Sequence, residues 1–121
     1  YAYITLRAGG RCAGTKNELD VVNVSVISNP WLIKSYNLVN PYGLGKDGNT
    51  MFVCDGTDGL KVYDATQPDN MLQIGHYTGF EAYDVIPDGG VLLLSGKNGI
   101  YQFDYSDPKN LSQLSLIPVT I

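Results

Sequence analysis

The sequence predicts an all-β fold built of β-propeller blades: four-stranded antiparallel meanders, three repeats in all, forming part of a larger or dimer-completed propeller. Three observations carry this expectation. A unit of about forty residues recurs along the chain. Short apolar runs within each unit are separated by Gly, Pro, Asn and Asp turn signals. Val, Ile, Leu and nine Tyr supply strand formers, while Ala-, Glu- and Lys-rich helical stretches are absent.

The repeat is clearest in its second half. Gly59-Leu60-Lys61-Val62-Tyr63-Asp64 matches Gly99-Ile100-Tyr101-Gln102-Phe103-Asp104. Each run continues as Asp-x-[Ser/Thr]-x-Pro-x-Asn, through Thr66, Pro68 and Asn70 in one and Ser106, Pro108 and Asn110 in the other. Matched residues stand 40 apart throughout. A more diverged copy, Leu19-Asp20-Val21-Val22-Asn23, lies 41 residues upstream of Leu60 to Asp64. Its Ser28-Asn29-Pro30 turn falls three residues late, which predicts a lengthened strand end or bulge over Val24 to Ile27.

Each full unit resolves into four strands. The first strands, from Tyr42 and from Ala82, run into Asp47-Gly48 and Asp88-Gly89 hairpin turns. The second strands are Tyr1 to Thr5, Met51 to Cys54 and Val91 to Ser95. The last two are nearly all apolar, as expected for strands buried on both faces. The third strands carry the Leu-x-Val pattern. The fourth are Trp31 to Tyr36, Met71 to Tyr77 and Leu111 to Ile117. Outer strands should alternate, as Leu60-Lys61-Val62-Tyr63 and Leu72-Gln73-Ile74 do. The blades divide at residues 1–38, 39–79 and 80–121 of a single segment, the first lacking its inner strand. With no initiator Met, the chain is expected to be a piece of something longer.

Composition excludes some functions. Charged residues are 17% of the chain and the formal charge is −4, with no basic stripe, so no nucleic acid is expected as a partner. No apolar run is long enough to span a membrane. The two cysteines, Cys12 and Cys54, are too few for a disulfide framework or a zinc site. They are read as two free thiols behaving as small hydrophobes, with a Cys12–Cys54 bridge as the minor alternative.

At the repeated motif the chain resembles the LVIVD-repeat family of bacterial propellers. The resemblance rests on Asp58-Gly59-Leu60-Lys61-Val62-Tyr63-Asp64 and Ser28-Asn29-Pro30, and more loosely on Gly99 to Asp104 and Ser106-Asp107-Pro108. It covers essentially the whole chain. The first copy departs from the pattern with Asn23 in place of Asp and a long loop from Arg7 to Asn17. The resemblance implies a propeller of a secreted or envelope-anchored bacterial protein, placed at the cell surface or in the periplasm. It implies no particular chemistry.

In blades so connected, the second-to-third-strand loops and the between-blade loops share one rim around the central channel. The candidate binding residues there are Arg7, Arg11, Tyr42, Asp55, Asp58, Tyr77, Phe80 and Glu81, with Lys16, Asn40, Pro41, Lys97 and Asn98 beside them. An aromatic and charged rim suits a protein or a glycan. A solvated rim with ordinary turn chemistry is the plainer reading. Asp55-Gly56-Thr57-Asp58-Gly59 offers two carboxylates to a cation, but the matching Gly96-Lys97-Asn98-Gly99 has none, so a tight turn explains it better. Asp64 and Asp104 recur once per unit, which marks them as Asx-turn residues rather than catalysts. His76, the one histidine, is a surface or interface residue. Trp31 is expected to pack on a neighbouring blade.

No catalytic set, metal site or cofactor site is predicted. The expected function is a non-enzymatic binding or interaction module, with self-association or further blades completing the propeller. The alternative is a propeller hydrolase or lyase acting on a glycan or lactone at the channel mouth. It would draw on Asp55, Asp58, Glu81 and Arg11.

Overall fold

A computed structural model describes residues 1–9 and 14–119. Eleven strands lie in the described residues: β1 (Ala2–Leu6), β2 (Glu18–Asn23), β3 (Trp31–Asn37), β4 (Leu44–Asp47), β5 (Thr50–Cys54), β6 (Leu60–Asp64), β7 (Leu72–Tyr77), β8 (Ala82–Asp88), β9 (Val91–Gly96), β10 (Gly99–Asp104) and β11 (Ser112–Pro118). The only helical element among them is a 3-10 turn at Pro68–Asn70. The fold is all-β, as expected.

The strands form three separate antiparallel sheets, each in chain order: β1-β2-β3, β4-β5-β6-β7 and β8-β9-β10-β11. No sheet closes on itself. Sequential pairing follows from the short turns. Asp47 pairs with Thr50 and Asp88 with Val91, so Gly48-Asn49 and Gly89-Gly90 are the two-residue hairpin loops. Gly89 and Gly90 both have positive φ, 57° and 89°, as a type I′ turn requires. The Asp of each Asp-Gly pair ends the strand rather than occupying the loop.

The three sheets stack face to face, and the second is the filling. Met51, Val53 and Tyr63 point toward the first sheet, where they meet Leu19 and Val21. Phe52, Cys54, Leu60 and Val62 point the other way, onto Val85, Leu92, Leu94, Tyr101 and Phe103 of the third. This is why Met51 to Cys54 is uninterrupted in its apolarity: all four side chains are fully buried. Val91 to Leu94 is equally apolar but has a different fate. Leu92 and Leu94 are fully buried, while Val91 and Leu93 are 36% and 41% exposed. Leu60 to Tyr63 alternates in polarity but not in burial, because Lys61 is buried too.

Strand pairing aligns the three sheets residue by residue. Leu19, Leu60 and Ile100 pair with Tyr36, Tyr77 and Ile117. Asn23, Asp64 and Asp104 pair with Trp31, Leu72 and Ser112. The third-to-fourth-strand loop therefore has one length in all three units, and the expected lengthening over Val24 to Ile27 is not there. The turn chemistry agrees. Thr66 N–H donates to Asp64 Oδ1 (3.0 Å), Ser106 N–H to Asp104 Oδ1 (2.8 Å) and Ser25 N–H to Asn23 Oδ1 (2.9 Å). Asn29, Asn70 and Asn110 each donate a backbone N–H to the carbonyl three residues back, at 3.0 Å. Asn23 thus does the work of Asp, because an amide oxygen accepts as a carboxylate oxygen does. The Ser28-Asn29-Pro30 sequence is what misleads: Ile27, not Pro30, occupies the Pro68 and Pro108 position.

A β-bulge falls at the same place in each third-to-fourth-strand pairing, and it leaves Ile33, Ile74 and Leu114 as the extra residues. Ile33 and Ile74 pack into the first and second junctions. Leu114 is 55% exposed. Trp31 is 46% exposed and does not find the neighbouring sheet expected of it.

Tyrosines tie the outer edges of the stack. Tyr36 Oη accepts the Met71 N–H (2.8 Å) and donates to the Pro68 carbonyl (2.8 Å), and Tyr77 Oη accepts the Leu111 N–H (2.9 Å). Met71 and Leu111 occupy matching positions, so one latch is used at both junctions.

Candidate functional site

The linkers between sheets and the second-to-third-strand loops lie at one end of the stack. Their backbones prove it. Gly56 and Ala82 exchange both N–H···O bonds, at 3.0 Å each. Val39 and Asn40 donate their N–H groups to Asp55 (3.0 and 2.7 Å). Lys97 N–H reaches the Glu81 carbonyl at 3.3 Å.

The candidate residues at this end fall into three groups. In the first, the Arg7 guanidinium lies over the Tyr42 ring, 3.8 Å from its centroid. The Tyr42 and Tyr83 rings meet at 5.1 Å, and Tyr83 Oη donates to Glu81 Oε2 at 2.6 Å. The row runs from the loop after β1, through the linker before β4, to β8 and the linker before it, so all three sheets contribute. Thr5 Oγ1 donates to the Tyr42 carbonyl (2.6 Å) and Gly43 N–H to the Tyr83 carbonyl (2.8 Å), which fixes the row from behind. Gly43 is required by this approach: a Cβ there would overlap the Asp84 carboxylate. An open cleft of about 390 Å³ runs along the row, lined by Thr5, Arg7, Pro41, Tyr42, Gly43, Tyr83 and Asp84. The hydrogen bond to Glu81, followed by burial, holds the Tyr83 phenol above its ordinary pKa.

The second group is built around Asp55, which is fully buried. Lys61 Nζ bonds Asp55 Oδ2 at 2.7 Å and Asp58 Oδ2 at 2.9 Å. Burial pulls the lysine pKa down, but the hydrogen bonds it donates to Asp55 and Asp58 outweigh it and hold it above the usual value. Both carboxylates are engaged by one internal ammonium, and Asp55 also closes the linker at Val39 and Asn40. The Asp55-to-Gly59 loop is a charge clasp. His76 completes it at the surface, with Nε2 2.7 Å from the Asp58 carbonyl and 3.5 Å from Asp58 Oδ2.

The third group is Tyr77 and Phe80, of which Phe80 also borders an open cleft of about 370 Å³ shared with Glu81, Lys97 and Asn98. With Tyr101 and Phe103, Tyr77 and Phe80 line a cleft of about 600 Å³ on the outer edge of the second junction. Phe80 stands 5.0 Å from Tyr101. Here the aromatic rings serve packing, and Tyr77 serves the latch. Arg11 lies outside the described residues.

Cys54 is fully buried, and burial, aided by the Asp84 charge, pushes its thiol up to about 12. It behaves as a small hydrophobe. Cys12 lies outside the described residues, and so does a Cys12–Cys54 pairing. No cluster of three metal-ligating side chains occurs among the described residues, and no helix of theirs is long and apolar enough to cross a membrane.

Sequence reasoning named Arg7, Tyr42 and Glu81 but missed Tyr83. The signal was available: Tyr42 and Tyr83 are 41 residues apart, and each stands at or just before a first strand. Lys61 was missed because its polarity suggested an outward face. No family model, curated protein or solved structure matches the chain.

Proposed function

We propose that the three sheets are consecutive β-propeller blades of an LVIVD-type bacterial repeat protein, secreted or held at the cell envelope, and that they form a non-enzymatic binding module. The blade reading is supported by recurrence at every level: the same strand order, the same bulge, the same Asx-type turn and the same tyrosine latch. The binding reading rests on the Arg7–Tyr42–Tyr83–Glu81 row, to which, among the described residues, every sheet contributes.

The Arg7 guanidinium stacked on Tyr42, the neighbouring Tyr83 ring, and the Glu81 and Asp84 carboxylates fit a ligand with apolar C–H faces and many hydroxyls, which is the chemistry of a glycan chain. Small-molecule and glycan recognition relies on such convergence of rings with a few fixed polar groups. The enzyme alternative is weaker, because Asp55 and Asp58 are neutralised by Lys61 rather than aimed into a cleft.

A glycan array probed with the wild-type chain and with Tyr42→Ala and Tyr83→Ala tests the reading. Binding to at least one glycan, lost in both variants while Tyr1→Ala retains it, is the expected outcome. Binding that persists in both variants, or no glycan retained by the wild type, overturns it.

A further inference from the structure

The two ends of the stack are bare in a matched way. We propose that a second copy of this chain covers them head to tail, the outer face of the third sheet in one copy seating on the outer face of the first sheet in the other. This rests on the blade reading but not on the glycan site.

The forward face of each sheet presents a bulge residue, a third-strand aliphatic and a latch position. The first sheet seats Ile33, Leu19 and Tyr36 on the second, and the second seats Ile74, Leu60 and Tyr77 on the third. The third sheet presents Leu114, Ile100 and Ile117 to no other sheet among the described residues; they are 55%, 41% and 57% exposed. With Leu93 they form an apolar face of the kind that marks an interaction surface. On the first sheet, the opposite face exposes Ile4, Val24 and Leu32.

The latch positions say which surface belongs on which. At both covered junctions a tyrosine hydroxyl accepts a backbone N–H, from Met71 or from Leu111. At the bare forward face the tyrosine is replaced by Ile117. At the bare backward face the N–H position is held by Pro30, which has no N–H to give. Each replacement alone would leave an orphan: an unpaired N–H against Ile117, or an unpaired hydroxyl against Pro30. Together they make an apolar contact with nothing unsatisfied. The third strands complement one another too. Gln102 replaces the valine of Val21 and Val62, and Asp20 stands where Lys61 and Tyr101 stand. The seam thus gains an amide donor on one face and a carboxylate acceptor on the other. A face-to-face pairing of two third sheets would match Ile117 with no proline and Gln102 with no acid. Two head-to-tail seams place six sheets around one axis, within the usual range for a closed ring.

Sedimentation equilibrium of the wild-type chain, Ile100→Arg and Ile4→Arg tests this, with circular dichroism confirming that all three fold. Both substitutions are at exposed positions. The wild type is expected at twice the 13.2 kDa chain mass and each variant at the single mass. Mixing the two variants should restore a species of double mass, because one supplies the intact first sheet and the other the intact third. Ile117→Tyr should weaken the wild-type dimer about a hundredfold, about tenfold for the unpaired hydroxyl buried in each of its two seams, and adding Pro30→Ala, which returns the N–H, should recover it. A monomeric wild type, a dimer that survives in Ile4→Arg or Ile100→Arg alone, or a failure of the mixed variants to associate overturns the proposal. Mass is read without any ligand, so failure of the seam and failure of the glycan site are separate results.

Discussion

The hydroxyl of Tyr77 accepts the backbone N–H of Leu111 at 2.9 Å, across the junction between the second and third sheets. Tyr36 does the same for Met71 one junction earlier. Neither N–H has a ladder partner, since each precedes the first residue of a fourth strand. Removing the hydroxyl leaves a part-buried donor unpaired, which costs about 1–2 kcal/mol. Tyr77→Phe should lose that much in urea unfolding. Tyr36→Phe should lose more, because Tyr36 also donates to the Pro68 carbonyl. Tyr1→Phe, on an exposed ring, is the control and should change nothing.

The latches also show where the sequence is legible and where it is not. Strand number, order and turn positions follow from Asp-Gly, Asp-x-[Ser/Thr] and apolar runs, because those are local and each is repeated. The first copy's loop was misjudged because Pro30 is a strong local signal, while its register is set by pairing of Asn23 with Trp31. Lys61 was misplaced because a buried lysine is decided by its partners, and Asp55 and Asp58 reach it only through the fold. Of the Arg7–Tyr42–Tyr83–Glu81 row, Arg7, Tyr42 and Glu81 are recognisable from connectivity as loop and linker candidates. The meeting of Tyr42 with Tyr83 depends on how sheets stack, which no local pattern encodes.

Asp55 has no exposure, and Lys61 is its only cation among the described residues. Lys61→Met should therefore cost about 3–5 kcal/mol, the penalty of stranding a buried carboxylate. The alkaline limb has a sign. The folded-state pKa of Lys61 is raised above 10.5, so the stabilisation it gives is complete below 10.5 and disappears as pH climbs through the raised value. Tyr63, raised above 10.0 by burial first, acts in the same direction. Thermal melts of the wild type should be flat to about pH 10 and fall beyond it. A melting temperature unchanged well above both values would contradict the clasp.

The turns contribute to the acid limb. Hydrogen bonds from Thr66 lower the Asp64 carboxyl, and those from Ser106 lower Asp104, both from an ordinary value of 3.8. A depressed folded pKa gives stability that is present above 3.8 and lost as pH falls through the lower folded value. Asn23 already makes the same turn without a charge, bonding Ser25 N–H at 2.9 Å. Asp64→Asn with Asp104→Asn should keep the fold at neutral pH and flatten the decline below pH 3.8. Melting curves across that interval decide it, and an undiminished acid decline in the double variant would place the titrating groups elsewhere.

Two glycines with positive φ differ in what surrounds them, and the difference can be measured. Gly48, at φ +57°, sits in the β4–β5 hairpin with open space where a Cβ would go. Gly59, at φ +79°, opens β6, and a Cβ there would overlap the Tyr77 carbonyl of the paired strand. Gly48→Ala should cost about 1–2 kcal/mol, from the left-handed backbone alone. Gly59→Ala carries that cost and adds about 1–3 kcal/mol for forcing β6 and β7 apart. Asparagine tolerates the left-handed region better than alanine, so Gly48→Asn should recover most of the loss. Gly59→Asn should not, because its Cβ meets the same carbonyl. Urea midpoints for the four variants separate conformational strain from collision. Equal losses at both positions would mean that the β6–β7 edge yields freely, and the latch at Tyr77, carried on the same strand end, would then be expected to loosen with it.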